Sequence, residues 1–315
     1  MPALRNTFGI SIFQPVFYIE GTEQADTLNG TQYADYMHGL GGNDKIYGGF
    51  GNDFLYGEGG NDTLEGGAGN DVLDGGIGND TLRGGAGADT LIGGEGMDNV
   101  SYVLANAGVM LDLATGGITN DAAGDTYSGI ENVFGSSYAD IINGNSQANV
   151  IHGNSGDDFL FGQGGDDRIF GDMGNDTLRG GAGNDVLNGG QGNDRLTGDD
   201  AGFIGADTFV MSPGTGVDHV TDFQRGFDHI DLRGYGITNL GWDGQLAVGT
   251  SSNLTWLHGG LDGADRLVFD RYDSTLYSVT VAWDDLDQGF YVSSRTAIVT
   301  LDGVTDLSGA DLILT

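Results

Sequence analysis

Large apolar residues recur along this chain at intervals of nine. Leu28, Met37, Ile46, Leu55, Leu64, Leu73, Leu82, Leu91 and Val100 form one unbroken series; Ile142, Ile151, Leu160, Ile169, Leu178, Leu187 and Leu196 form a second. Neither the 3.6-residue period of an amphipathic helix nor plain strand alternation gives that spacing. Before each apolar residue lies a Gly-rich stretch, as in Gly48-Gly49-Phe50-Gly51-Asn52-Asp53-Phe54-Leu55-Tyr56. Six such residues are costly to order as helix or strand but suit tight turns that need φ > 0. The remaining three suit a very short strand whose middle side chain points inward. Two repeats then make one coil of eighteen residues, with a strand on each face and a turn at each end. Residues eighteen apart stack, so Leu55, Leu73 and Leu91 form one inner column and Ile46, Leu64, Leu82 and Val100 the opposite one. The expected fold class is all-β: a parallel β-roll (a right-handed β-solenoid) in two blocks, plus a C-terminal β-rich domain.

The period also sets the expected organisation. An N-terminal cap strand occupies 1–20, a first roll 21–101, a capping hairpin or spacer 102–134, a second roll 135–197 and a C-terminal β domain 198–315. In the spacer, Val109, Leu111 and Leu113 alternate with Met110 and Asp112, the pattern of a strand with one buried face. The two opening repeats of each roll lack the fourth-position Gly, carrying Gln24 and Tyr33, then Tyr138 and Gln147. Terminal repeats of solenoids are atypical because they close the stack. After Thr197 the register fails, and all three Trp follow it.

Composition changes the picture by naming the chemistry. The formal charge is −35, and only six of the 46 acidic residues are Glu, leaving 40 Asp. Asp is short and favours turns, so the bias points to turn-borne ligands over a generic acidic surface. With 11 Lys and Arg in total, nucleic acid is excluded as a partner by phosphate repulsion. The absence of Cys removes disulfides and thiolate metal sites. No run approaches the ~20 apolar residues of a membrane-spanning helix.

Five residues after each repeat's first Gly stands Asp, with Asn149 the exception. Asp53, Asp71 and Asp89 thus stack at a strand spacing of ~4.8 Å, where bare carboxylates repel. A cation between successive coils turns that repulsion into ligation, and two carboxylates with turn carbonyls are hard oxygen donors suited to Ca²⁺. The candidate metal ligands are Asp44, Asp53, Asp62, Asp71, Asp80, Asp89 and Asp98 in the first roll. In the second they are Asp158, Asp167, Asp176, Asp185 and Asp194. Pairing residues eighteen apart gives five sites and three, about eight ions in all. No catalytic and no organic cofactor site is expected.

These repeats resemble the RTX family of calcium-binding β-roll proteins over 21–101 and 135–197. Gly205-Ala206-Asp207-Thr208-Phe209-Val210, Asp218-His219-Val220-Thr221-Asp222-Phe223 and Asp228-His229-Ile230-Asp231-Leu232 are similar to the domain after the roll in serralysin-type exoproteins. The terminal Asp311-Leu312-Ile313-Leu314-Thr315 resembles their uncleaved type I secretion signal. The resemblance implies calcium on the Asp and turn carbonyls, the type I secretion machinery as a partner, export in unfolded form and an extracellular location.

Enzyme motifs are missing. None of His38, His152, His219, His229 and His258 lies in His-Glu-x-x-His, and no Ser lies in Gly-x-Ser-x-Gly. His38 and His152 fall at outward strand positions, and His219 and His229 are an alternative accessory ion site. Tyr47, Tyr56, Phe54, Phe161 and Phe170 project outward, to pack under the N-terminal strand or the linker or between the rolls, or alternatively to form a patch for another protein or a glycan surface. Two alternatives stay open. One is a calcium-dependent, polysaccharide-modifying enzyme with an unrecognised site in 199–315; the other is a surface adhesin or S-layer component.

Overall fold

The computed structural model describes residues 16–200, 202–212 and 215–233. Beyond these it describes the strands at 247–249, 265–270, 275–284 and 289–301, with residue 302, and 312–313. Most of the N-terminal cap, His258 and the greater part of the terminal signal-like tail therefore lie outside the described residues. The described elements are strands apart from one 3-10 turn, Asn120–Ala122. No helix among the described residues is long and apolar enough to cross a membrane. The chain divides into two units: Met1–Ala105 with Leu113–Asn132, and Asn106–Asp112 with Val133–Thr315.

The first unit is the β-roll that the nine-residue period requires. Strands Phe17–Thr22, Asp35–Leu40, Phe54–Gly59, Val72–Ile77 and Thr90–Glu95 line one face in parallel, and Thr27–Asn29, Lys45–Phe50, Thr63–Ala68, Thr81–Ala86 and Asn99–Ser101 line the other. Register advances by eighteen, with Leu55 opposite Leu73 and Leu73 opposite Leu91 on one face, and Ile46 opposite Leu64 on the other. Met37, Ile46, Leu55, Leu64, Leu73, Leu82, Leu91 and Val100 are wholly buried. Each strand contributes one such side chain, so the core is a double file of aliphatic groups.

Many strands are six residues long where the pattern predicts three. Coils in identical register let the first turn positions pair as well, with Gly49 opposite Gly67 and Phe50 opposite Ala68. The turn then adds its own bonds, such as Gly51 N–H to Ala68 O at 2.9 Å. Gly tolerance and backbone pairing thus extend the ladder into what the sequence marks as loop.

The spacer is divided between the units. Thr126–Ser128 pairs in parallel with the strand Thr90–Glu95 of the first unit, setting Tyr127 opposite Leu91. Met110–Asp112 pairs in parallel with Ile141–Asn143 in the second, and Val109, Leu111 and Leu113 are buried as their alternation requires.

The second unit repeats the roll with Ile142, Leu160, Leu178 and Leu196 in one file and Ile151, Ile169 and Leu187 in the other, all wholly buried. Parallel stacking continues past Thr197 although the period does not. Leu187 faces Phe209, Phe209 faces Ile230 and Leu196 faces Val220, at intervals of 21 to 24 residues. Longer turns absorb the surplus while the strands keep their geometry. The strands Thr275–Asp284 and Gly289–Leu301 then run antiparallel to each other.

Candidate metal centre

Each repeat's Asp sits at the end of its turn, immediately before the inward apolar strand, and its carboxylate folds back under that turn. One oxygen has a fixed partner. Oδ1 of Asp53, Asp62, Asp71, Asp80 and Asp98 accepts the main-chain N–H of the Asp eighteen residues earlier, at 2.7 to 2.9 Å. The second roll repeats this from Asp158 N–H to Asp176 and from Asp167 N–H to Asp185, both at 2.8 Å. The carboxylates therefore climb from coil to coil, each tied to the next by the backbone.

The other oxygen has nothing. Among the described residues, sixteen buried side-chain polar atoms lack a hydrogen-bond partner, and thirteen of them are Asp Oδ2. Native proteins leave few such groups, and each one asks for a physical reason. All twelve Asp singled out from the sequence carry this atom, and Asp207 is the thirteenth. The residues themselves are at most 2 % exposed.

Around that oxygen the repeat's first Gly leaves room. A Cβ placed on Gly48 would stand 2.5 Å from Asp53 Oδ2 and 2.6 Å from the carbonyl oxygen of Gly66 in the next coil. The free carboxylate oxygen and a main-chain carbonyl thus face one small space that any side chain would fill. No three acidic or His side chains meet at one point among the described residues. A cation held here would draw most of its ligands from carbonyls, and an all-oxygen shell of that kind suits Ca²⁺.

Burial without a counter-charge raises the carboxyl pKa values. Desolvation is the largest cause, opposed by the main-chain N–H bond and reinforced by neighbouring Asp. Asp71, Asp158, Asp167 and Asp176 are pushed up to about 7, and Asp80 and Asp185 to about 6. Burial and the neighbouring carboxylates thus disfavour the ionised form of these groups. The fit to a divalent cation rests on this frustration together with the hard-oxygen donor set.

The opening turns differ at the second and fourth positions of the repeat. In open turns the second residue takes positive φ. It is Gly49 at 101°, or a non-Gly residue forced into the same region: Leu40 at 75°, Glu58 at 70°, Asn154 at 71°, Gln163 at 80° and Asp172 at 69°. In the four opening turns it is Thr22, Thr31, Ser136 or Asn145, and its N–H donates to the turn's own carboxylate or amide. Thr22, Thr31 and Ser136 reach Oδ2 of Asp26, Asp35 and Asp140 at 2.6 Å, and Asn145 reaches Oδ1 of Asn149 at 2.9 Å. These turns satisfy themselves. The sequence carried that signal in the missing fourth-position Gly, with Thr or Ser after the first Gly in three of the four turns; Asn there stands in both a closed turn (Asn145) and an open one (Asn154).

Column members outside the period escaped sequence reasoning. Asp125 Oδ1 accepts Asp89 N–H at 2.9 Å, and its Oδ2 accepts the Tyr102 hydroxyl at 2.7 Å, so a phenol completes this carboxylate. Glu131 Oε2 accepts Asp98 N–H at 2.9 Å. Asp207, Asp218 and Asp228 continue the columns of the second unit, accepting N–H bonds from Asp185, Asp194 and Asp207 at 2.9, 3.2 and 3.0 Å. Each precedes x-apolar, as in Asp207-Thr208-Phe209, a fragment of the repeat that survives when the spacing is lost.

Outward side chains form ladders of their own. Tyr18, Tyr36 and Phe54 stack at 5.3 and 4.5 Å, and Phe134, His152 and Phe170 at 5.0 and 4.5 Å. Several of the aromatics expected to pack beneath other segments instead lie along the coil axis on their own counterparts. His38 stacks on Tyr56 and pairs with Glu58 at 2.8 Å, while His152 pairs with Asp172 at 2.9 Å. His219 pairs with Asp302 at 2.7 Å.

The family described as RTX calcium-binding nonapeptide repeat (4 copies) matches residues 20–55, 47–82, 56–91, 74–101, 125–160, 134–169, 144–178 and 170–201. Together these spans cover half of the chain. No curated protein matches. Among solved structures, the chain is similar to the AlgE6R3 subunit of the Azotobacter vinelandii mannuronan C5-epimerase, at 24% identity and a TM-score of 0.28 over 56% of this chain and 78% of that one. It is also similar to the AlgE6R2 subunit of the same enzyme, at 24% identity and a TM-score of 0.23 over 56% and 89%. Likeness at this level says nothing of substrate or activity for this chain.

Proposed function

The chain belongs to the RTX calcium-binding nonapeptide repeat family, and from that premise we propose that calcium held between successive coils is what folds it. The single observation that carries this reading is the set of buried Asp Oδ2 atoms without partners, repeated at every open turn. The ligands are Asp44, Asp53, Asp62, Asp71, Asp80, Asp89 and Asp98 in the first roll and Asp158, Asp167, Asp176, Asp185 and Asp194 in the second. Each ion joins two Asp eighteen residues apart with turn carbonyls, giving about eight ions. A bound divalent cation supplies the positive charge that lets these carboxylates stay ionised while buried. The protein's part is to set the oxygens in register and to keep water out of the stack.

Magnitude then suggests where folding occurs. With Kd near ~10⁻⁴ M per site, ~1 mM Ca²⁺ contributes about 1.4 kcal/mol per ion, and eight ions contribute about 11 kcal/mol. That equals the stability of an ordinary domain. At cytosolic calcium the contribution falls close to zero. The chain is therefore read as a secreted protein, exported unfolded by a type I system and folded by extracellular calcium. Far-UV circular dichroism and calorimetric titration test this. A disordered spectrum in EGTA that becomes β-rich on adding 1 mM Ca²⁺, with several ions taken up per chain, is the expected result. A β spectrum indifferent to chelator would end the proposal.

A further inference from the structure

Both the nine-residue period and the family match stop near residue 200. The column of carboxylates does not. Asp185 N–H donates to Asp207 Oδ1 at 2.9 Å, and Asp207 N–H donates to Asp228 Oδ1 at 3.0 Å. This is the bond that joins one repeat Asp to the next. Asp207 is wholly buried and its Oδ2 accepts no hydrogen bond, the condition of the twelve repeat Asp.

The surroundings are built differently. A repeat turn runs five residues from its first Gly to its Asp, as from Gly48 to Asp53, but the turn ending at Asp207 runs nine from Gly198. Gly198 still occupies the cradle position, since a Cβ there would strike Asp207 Oδ2. The extra residues bring in a second acid. Asp199, 8 % exposed, accepts the Gly205 N–H at 2.9 and 3.0 Å, and its Oδ2 accepts Gln224 Nε2 at 2.5 Å. A Cβ on Gly205 would stand 3.0 Å from Asp207 Oδ1 and 3.2 Å from Asp199 Oδ1, and would strike the Gly183 carbonyl oxygen. Near Gly205 the Oδ1 atoms of both carboxylates accept main-chain N–H bonds, so the oxygen left for a cation is Asp207 Oδ2 in the Gly198 cradle, with the Asp199 carboxylate close by. The charges that bear on Asp207 are all carboxylates, those of Asp228, Asp199 and Asp185.

We propose that the turn Gly198–Asp207 forms one further divalent-cation site outside the repeats, held by Asp207 and Asp185 with main-chain carbonyls and with the Asp199 charge beside it. The donors are oxygen throughout, so the site takes Ca²⁺. The repeat turns with Gly at the second position have no acid where Asp199 stands. Negative charge near the ion tightens calcium sites, so this site holds its ion more tightly than those repeat sites do. The inference rests on the calcium reading of the repeats and adds an ion that their motif does not count.

The test uses the full chain as wild type, Asp207→Asn and Asp199→Asn. Bound calcium is counted by native mass spectrometry across a chelator series, and circular dichroism reports folding of the rolls separately. Asp207→Asn is expected to bind one ion fewer than wild type while keeping the calcium-induced β spectrum. Asp199→Asn is expected to keep the count and to release one ion at roughly tenfold higher free calcium than wild type does. If Asp207→Asn loses the β spectrum altogether, Asp199→Asn decides, and an unchanged release profile for it overturns the site. Equal counts for wild type and a folded Asp207→Asn chain overturn it too, leaving the repeat sites standing. A wild-type chain that takes up no calcium overturns both readings.

Discussion

A buried carboxylate with one oxygen bonded to a main-chain N–H and the other to nothing is the unit that repeats along this protein. Its cost is electrostatic. Two carboxylates ~4.8 Å apart repel by roughly 3 kcal/mol at an effective dielectric near 20. Interior Asp such as Asp71 are shared by two neighbouring pairs, whereas Asp98, the last repeat Asp of its column, belongs to one. Asp71→Asn is therefore expected to lose two ions, about 3 kcal/mol at 1 mM Ca²⁺, and Asp98→Asn one. Calorimetric stoichiometry checks this, and equal losses would refute the pairing scheme. Without metal the raised carboxyl pKa values set the sign of a pH effect. Folding then takes up protons, so its contribution is present below about pH 4 and is lost as pH rises through 6 to 7, the values of Asp80 and Asp71. In EGTA the chain is expected to gain β signal on acidification from pH 8 to pH 5, and a flat profile would contradict that. Gly69 shows the steric side of the same unit. Its φ is +148°, and an added Cβ would strike the Gly51 carbonyl oxygen. Gly69→Ala is expected to cost more than the roughly 1 kcal/mol of an ordinary Gly exchange, read as a higher calcium midpoint for folding.

At the scale of one turn, the second and fourth residues together separate two arrangements. With Gly or a left-handed residue at the second position, the carboxylate is left for a cation. With Thr22, Thr31, Ser136 or Asn145 there and no Gly at the fourth position, the turn's own N–H fills it, as Thr31 does for Asp35 at 2.6 Å. The opening coils can thus form before any ion arrives. Replacing Thr31 and Tyr33 together by Gly is expected to open that turn, free Asp35 Oδ2 and add one ion between Asp35 and Asp53. Titration stoichiometry would rise by one, and an unchanged count would show that these two positions are not the selector. Tyr102 closes the far end of its column in another way, by placing a hydroxyl on Asp125. Nothing in the spacing announces that contact, because it joins residues 23 apart that share no repeat position.

At the scale of the molecule, each roll is a double file of aliphatic side chains flanked by rows of carboxylates. A core one residue wide per strand buries little apolar area for its length, so the rows of turns matter as much as the interior. The fold was legible because a solenoid contacts itself at one fixed separation: a period of nine settles which residues face inward, and doubling it settles which ones stack. Leu55, Leu73, Asp53 and Asp71 all follow from counting. Where the separation varies, counting fails. Asp207, Asp218 and Asp228 stand in the columns at intervals of 22, 24 and 21, and only three-dimensional stacking aligns them. The sequence by itself determined the coil, its inner files and the acid at every turn, since these depend on local spacing. Which carboxylate oxygens stay without partners was decided only by the tertiary structure, because each oxygen's fate depends on the N–H or hydroxyl that a distant coil or a single turn residue brings to it.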